Sequence, residues 1–216
     1  MATTLVLVRH GEARAGVERF VGGDTGCKGL TDRGREQAEK LRDRLARTGE
    51  LTPDVVLAST LTRAIETAEI VRVAFDTSVP FATDREYCEQ HPGECDGMTV
   101  DEAERVYGFI DDDDPDKIIS PGGESRRMFD ARIDGAINAL LERYSGQTIV
   151  MFTHGGFVYG ATMYLLNAPG IAEAIPRWTP PRNTSLTIFT IDTPGARPLL
   201  ERYNDHIHLH DGYIPA

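Results

Sequence analysis

The chain has 216 residues, enough for one three-layer core, and no stretch approaches the ~20 consecutive apolar residues of a membrane span. Its 23 basic residues against 34 acidic ones leave a net charge of −11, which argues against a nucleic-acid scaffold, because a phosphate backbone needs a basic face. Any phosphate it binds must be met by a small local cluster of cations, which suits a compact monoester better than a polyanion. Three cysteines, Cys27, Cys88 and Cys95, have no framework spacing and read as free thiols of a reducing compartment. The first eight residues carry neither a cationic leader nor a long apolar run, so a cytoplasmic location is expected, with no membrane or nucleic-acid partner.

In chain order, residues 4–8 read as a buried strand that ends in Arg9-His10-Gly11-Glu12. A helix follows from Thr31 as N-cap, with Ala38, Leu41 and Leu45 on one stripe, and stops near Gly49. A second strand, 54–58, leads into a helix starting around Ser59 or Thr60 that carries Arg63 in its first turn. Between 83 and 120 the periodicity fails; the segment holds Pro92, Pro115 and the run Asp111-Asp112-Asp113-Asp114, read as a solvated loop. A helix over about 124–144 shows Ile133, Ile137, Leu140, Leu141 and Tyr144 at core spacing. The strand 148–152 ends in Thr153-His154-Gly155-Gly156. Residues 184–191 are a further strand and 198–204 one more, at an edge. Strands alternating with helices predict an α/β fold, a three-layer α/β/α sandwich with a mostly parallel central sheet. The whole chain, 1–216, is read as one domain with a loop or lid insertion around 84–120.

Open α/β sheets keep ligands at the carboxyl ends of their strands, and here two strands each deliver a histidine followed by glycine to that rim. A neutral imidazole is nucleophilic near neutral pH, and a guanidinium fork matches two phosphoryl oxygens. Arg9 and His10 supply that pair; Arg63 adds a second fork and His154 a further donor, so that charge developing on a transferring phosphoryl group is met from several sides.

The ordered set Arg9-His10-Gly11-Glu12, Leu30-Thr31 with Gly34 and Gln37-Ala38, Ser59-Thr60-Leu61-Thr62-Arg63-Ala64, Gly122-Gly123-Glu124-Ser125 and His154-Gly155-Gly156 resembles the histidine phosphatase superfamily, in its phosphoglycerate-mutase-like branch. The resemblance spans roughly residues 5–192, and Asn183-Thr184-Ser185 and the ending 204–209 are similar to segments of some members. It implies that His10 is phosphorylated, that Arg9 and Arg63 hold the phosphoryl oxygens with Gly11 and Gly155 beside them, that His154 completes the pocket, and that no metal or cofactor is needed. For the acid that protonates the leaving group, family spacing points to Glu89, with Glu86 as the alternative.

Departures bear on the subclass. Where mutases of this family follow the glutamate with an arginine, a histidine and a tyrosine, this chain has Gln90, His91 and Pro92, and Gly16 replaces a frequent asparagine. Val106-Tyr107-Gly108 sits downstream on a helix and does not restore the mutase pattern. The expected activity is therefore hydrolysis of a small phosphorylated metabolite through a phosphohistidine. A phosphoglycerate mutase, or a phosphate- or phosphoprotein-binding module without turnover, are the alternatives. Glu12 reads as a polar bridge holding the motif turn. A zinc site from Cys88, His91, Cys95 and Cys27 is a weaker reading than an acid-bearing loop, because the spacing is no standard knuckle. His206, His208 and His210 read as an ordinary polar tail, aligned on one face if extended. Trp178 with Pro176, Pro180 and Pro181 reads as a packed corner. Residues 168–182 and 84–120 are expected to border the substrate, with Arg126, Arg127, Arg177 and Arg182 as candidate contacts. Whether the chain is a monomer or a homodimer is left open.

Overall fold

The computed structural model describes residues 1–108, 114–166, 181–192 and 196–210. Six strands form one sheet among these residues: β1 Thr3–Arg9, β2 Val55–Ser59, β3 Phe81–Asp84, β4 Thr148–Thr153, β5 Leu186–Ile191 and β6 Leu199–Asp205, in the order β3-β2-β4-β1-β5-β6. β3, β2, β4 and β1 pair in parallel; β5 runs antiparallel to β1, and β6 antiparallel to β5. β5 alone therefore opposes the other five.

The pleat sends alternate residues to opposite faces. Leu5, Leu7, Ile149 and Met151 pack under helices α5 (Arg126–Arg143) and α6 (Gly155–Leu165), against Ile133, Ile137 and Phe157. Val6, Val8, Val150 and Phe152 face α2 (Asp32–Thr48) and α3 (Thr62–Val71), against Leu41, Leu45 and Val71. Two cores with one sheet between them make the expected α/β/α sandwich. Each apolar side chain fully buried there contributes about 1.5–3 kcal/mol.

The helix signals act as read from the sequence. The Thr31 hydroxyl accepts from Gly34 N, and Gly49 closes α2 at φ 60°, a left-handed turn that glycine adopts freely. α3 starts at Thr62, two or three residues later than expected, because Ser59 still belongs to β2 and its hydroxyl accepts Leu61 N at 3.1 Å to make the turn. The strand at 199–205 lies at the sheet edge, as expected.

The aperiodic segment holds more structure than its pattern suggests. It is preceded by the exposed edge strand β3, and contains 3-10 turns at Arg85–Tyr87 and Gly93–Cys95 and the helix α4 (Val100–Tyr107). Elements this short, with few buried residues, leave no periodic signature. A five-residue helix, α1 (Arg14–Glu18), was likewise not expected. Asp111, Asp112 and Asp113, and Trp178 with Pro176, Arg177 and Pro180, lie outside the described residues; Asp114 is exposed.

The C-terminal histidines correct the sequence reading. β6 ends at Asp205, and Ile207–Leu209 form a 3-10 turn that buries His208 while His210 stays exposed. They share no extended face. His208 is an interior group, not part of a solvated tail.

Candidate active site

Parallel pairing of β1 with β4 puts Arg9 opposite Thr153, so the residues that follow, His10 and His154, emerge side by side on the carboxyl rim. Their rings stand 5.2 Å apart between centroids at 62°. Arg63 reaches the same point from the first turn of α3.

The contacts of His10 define its tautomer. Its Nδ1 lies 2.6 Å from Gly11 O, and Arg63 Nε donates to its Nε2 at 3.1 Å. A guanidinium only donates, so Nε2 accepts, and the ring proton sits on Nδ1, bonded to the Gly11 carbonyl. Burial, then the charges of Arg63 and Arg9, hold the His10 pKa well below the ordinary 6.5. The ring is neutral, and its Nε2 lone pair faces a cation.

Backbone contacts seat the motif turn. His10 N donates to Thr153 O at 2.9 Å and Gly11 N to Thr67 Oγ1 at 3.1 Å. A Cβ at position 11 would collide with the Gly34 carbonyl, and one at position 34 with the Glu12 carbonyl, so both positions require glycine. Glu12 accepts from the Thr31 hydroxyl at 2.9 Å and pairs with Arg33 at 3.3 Å, while its N–H donates to Gln37 Oε1 at 2.8 Å. It bridges the motif turn to α2.

Two guanidinium groups flank the ring. Arg63 is buried and also donates to Gly22 O at 2.7 Å and Cys27 Sγ at 3.3 Å. Arg9 donates to Pro181 O at 2.5 Å, and its Nε is buried without a partner among the described residues. Burial lowers the Arg9 pKa, the Glu89 carboxylate raises it, and Arg63 lowers it again.

His154 is fully buried, with Nε2 2.7 Å from Ser59 Oγ and a buried Nδ1 that has no partner among the described residues. Burial first, then Arg63, His10 and Arg9, keep its pKa well below 6.5. Gly155 follows as the buried first residue of α6, where helical N–H groups lack internal acceptors.

Glu89 faces the same helix start. Its carboxylate accepts Gly156 N at 2.9 Å and Gln90 N at 3.3 Å, and it fills the space a side chain at position 156 would need. The loop that carries it is tied from behind by Arg132 of α5. That guanidinium donates to the carbonyls of Glu86 at 2.7 Å, Cys88 at 3.1 Å and Glu89 at 3.1 Å, and to both oxygens of Glu124 at 2.8 Å. Glu124 in turn accepts His91 N at 2.9 Å, and its carbonyl accepts Gln90 Nε2 at 2.9 Å. Burial raises the Glu124 pKa, but hydrogen bonds from Arg132 and His91 N–H more than offset this and leave it lowered. Glu86, the alternative acid, is exposed, and its bonds among the described residues run through its backbone.

Sequence reasoning missed the roles of Ser59, Glu124 and Asn183, although all three stand in recognised segments. It had no signal for Arg132, one arginine beside a core-spaced isoleucine. Asn183 donates its side-chain N–H to His10 O at 2.9 Å. Gly16 is exposed on α1 and replaces the asparagine with nothing. Arg126 pairs with Asp130 and Arg127 with Asp116, both on exposed faces, and Arg182 is engaged through its backbone by Asn204. The zinc reading is not supported: Cys88 bonds Ser59 and Thr60, Cys95 bonds Pro92 O, Cys27 bonds Arg63, and no cluster of three metal-ligating groups occurs among the described residues.

At the strand ends of this α/β/α sandwich a neutral imidazole stands with two guanidinium groups, an arrangement of donors that suits an anionic oxygen group. The histidine phosphatase superfamily (branch 1) profile matches residues 5–206, and the chain belongs to that superfamily. It is 30% identical to phosphoglycerate mutase-like protein 4 of Arabidopsis thaliana over 98% of this chain and 90% of that one. It is also 30% identical to the 5''-phosphoribostamycin phosphatase of Niallia circulans, covering 95% of this chain and 97% of the relative. Among solved structures, Bacillus stearothermophilus YhfR superposes with a TM-score of 0.79 at 30% identity, over 96% of this chain and 100% of that one.

Proposed function

We propose that the chain is a phosphatase that hydrolyses a small phosphorylated metabolite in two steps through His10. In the first, His10 Nε2 attacks phosphorus, a P–N bond forms, and the ester P–O bond breaks as Glu89 gives its proton to the leaving oxygen. In the second, Glu89 takes a proton from water, whose oxygen attacks the phosphohistidine and releases orthophosphate and free imidazole. Arg9 and Arg63 hold the phosphoryl oxygens throughout. The Ser59 hydroxyl accepts Leu61 N–H and gives its own proton to His154 Nε2, leaving Nδ1–H of His154 as a third donor to the phosphoryl group. No step calls for a metal or cofactor.

The single observation that carries this reading is the contact pattern of His10, Nδ1 against Gly11 O and Nε2 facing the Arg63 guanidinium, from which a proton on Nδ1 and a lone pair on Nε2 follow. Hydrolysis is favoured over mutase action because Gln90, at the first position after the acid, offers no charge for a substrate carboxylate and has its amide bonded to Glu124 O. Residues 84–120 are read as the part of a single catalytic domain that shapes the mouth. Among the described residues no helix is long and apolar enough to cross a membrane, and a cytoplasmic location fits the three free thiols.

The test is release of phosphate from p-nitrophenyl phosphate and from a panel of phosphorylated metabolites, together with acid-quench trapping of an acid-labile phosphoprotein. A protein that neither turns over nor traps phosphate is a binding module instead. One that interconverts phosphoglycerate isomers faster than it frees phosphate is a mutase.

A further inference from the structure

Thr184 has φ 55° and Asn204 has φ 56°. The left-handed region suits asparagine but not a β-branched residue, and such a conformation persists only where its surroundings over-determine it. The chemistry assigned to His10 does not explain why Thr184 is held there.

Two residues of the 204–208 segment, His208 and Asn204, hold the turn, and the turn holds the nucleophile. His208 Nε2 lies 2.9 Å from Thr184 Oγ1, and Asn204 Oδ1 accepts Arg182 N at 2.6 Å. The Thr184 hydroxyl donates to Asn183 O at 2.8 Å, so its single proton is committed, and the His208 bond must run from Nε2–H to Oγ1. On the other side, Thr184 N donates to Arg9 O at 2.8 Å and Asn183 Nδ2 to His10 O at 2.9 Å. His10 is thus tied twice, by its N–H to β4 and by its carbonyl to this turn. The second tie is the one that the sheet does not supply. Both ends of the His208–Thr184 bond are sealed from water: Thr184 is 0% and His208 4% exposed. Burial, then the Arg44 charge, push the His208 pKa to about 4, so the ring stays a neutral donor.

We infer that residues 204–208 clamp the nucleophile: His208 and Asn204 lock the 182–184 turn in its left-handed bend, and that turn sets where the His10 ring and the Arg9 guanidinium stand. His208 is a positioning residue that acts through Thr184 and touches no substrate. The inference rests on the reading of His10 as phosphoryl acceptor.

The test compares His208→Ala, His208→Gln and Thr184→Val, using kcat/KM on p-nitrophenyl phosphate and the ring 1H–15N resonances of His10 in protein without substrate. His208→Ala and Thr184→Val are expected to shift the His10 resonances and to lower kcat/KM by about tenfold or more, the scale of a displaced reacting group. His208→Gln, whose amide N–H can reach Thr184 Oγ1, restores both to within about threefold. Because the two residues share one bond, the double variant His208→Ala/Thr184→Val is no worse than the poorer single one. Unmoved His10 resonances in folded Thr184→Val, multiplying losses in the double variant, or failure of glutamine to restore what alanine removes would overturn the clamp. If the unaltered protein releases no phosphate, the hydrolytic reading falls while the substrate-free resonances still decide the clamp.

Discussion

The two halves of the site are held in different ways. Arg9, His10 and His154 are placed by the β1–β4 register in the middle of the sheet, where backbone ladders and two buried cores fix every strand end. Glu89 sits on a loop of short 3-10 turns between an edge strand and a small helix, with Arg132 and Glu124 binding its carbonyls and N–H groups behind it. His10, held by the sheet and by the 182–184 turn, does not share the Arg132–Glu124 pair on which the Glu89 loop depends, so the two proposed halves of the reaction are expected to separate by mutation.

The widest separation is expected from His10→Asn, which removes the attacking nitrogen and should reduce kcat by about a thousandfold or more, with no phosphoprotein trapped. Glu89→Gln comes next, at about a hundredfold or more on alkyl phosphates and far less on p-nitrophenyl phosphate, whose leaving group needs little protonation. Equal losses on both substrates would remove Glu89 from the role of acid. Arg132→Ala leaves the Glu124 carboxylate without its cation, with only the His91 N–H bonded to it in a nearly buried position, for a destabilisation of about 3–5 kcal/mol in urea unfolding. Its kinetic defect should mimic Glu89→Gln, steeper for poor leaving groups, while trapping on His10 survives. If trapping is lost with it, the halves are not independent.

The smallest effect is on pH. His10, His154 and His208 all have pKa values below the ordinary 6.5, that of His208 at about 4, so the unfolded chain takes up protons that the folded one refuses. Stability is full above about 6.5 and declines as pH falls towards 4, with His208 alone contributing up to roughly 3 kcal/mol of that loss. The groups acting on His208 are Arg44 and His206, which lower its pKa, and Asp205 and Glu50, which raise it. Unfolding midpoints measured across this window should flatten in His208→Gln.

The same contrast explains what the sequence made legible. Groups at strand ends can be read because a buried strand has a continuous apolar signature, and whatever follows it stands on the rim; this located Arg9, His10 and His154. Capping chemistry is equally local, so Thr31 and Gly49 mark α2 correctly. Arg132 carries no such mark, since only the folded chain brings the carbonyls of residues 86, 88 and 89 within its reach. Spacing favours Glu89 and leaves Glu86 as the alternative. The fold separates them further, because the 3-10 turn at Arg85–Tyr87 leaves Glu86 exposed while Glu89 lies against Gly156. His208 reads as part of a polar tail because one buried histidine beyond the last strand leaves no periodic signature; only the 3-10 turn at Ile207–Leu209 turns it inward.

The reversal of β5 has a consequence for how the molecule is completed. Were that strand to run with its neighbours, the residues before it would emerge on the opposite side of the sheet from His10. Running against them, it starts level with the ends of β1 and β6, since Leu186 lies opposite both Val8 and Asp205. The segment that closes the rim beside Arg9 and His10 is therefore supplied by residues far from them in sequence, at 182–186 and 204–208. A polypeptide released before residue 208 should bury most of its sheet yet stay catalytically unfinished.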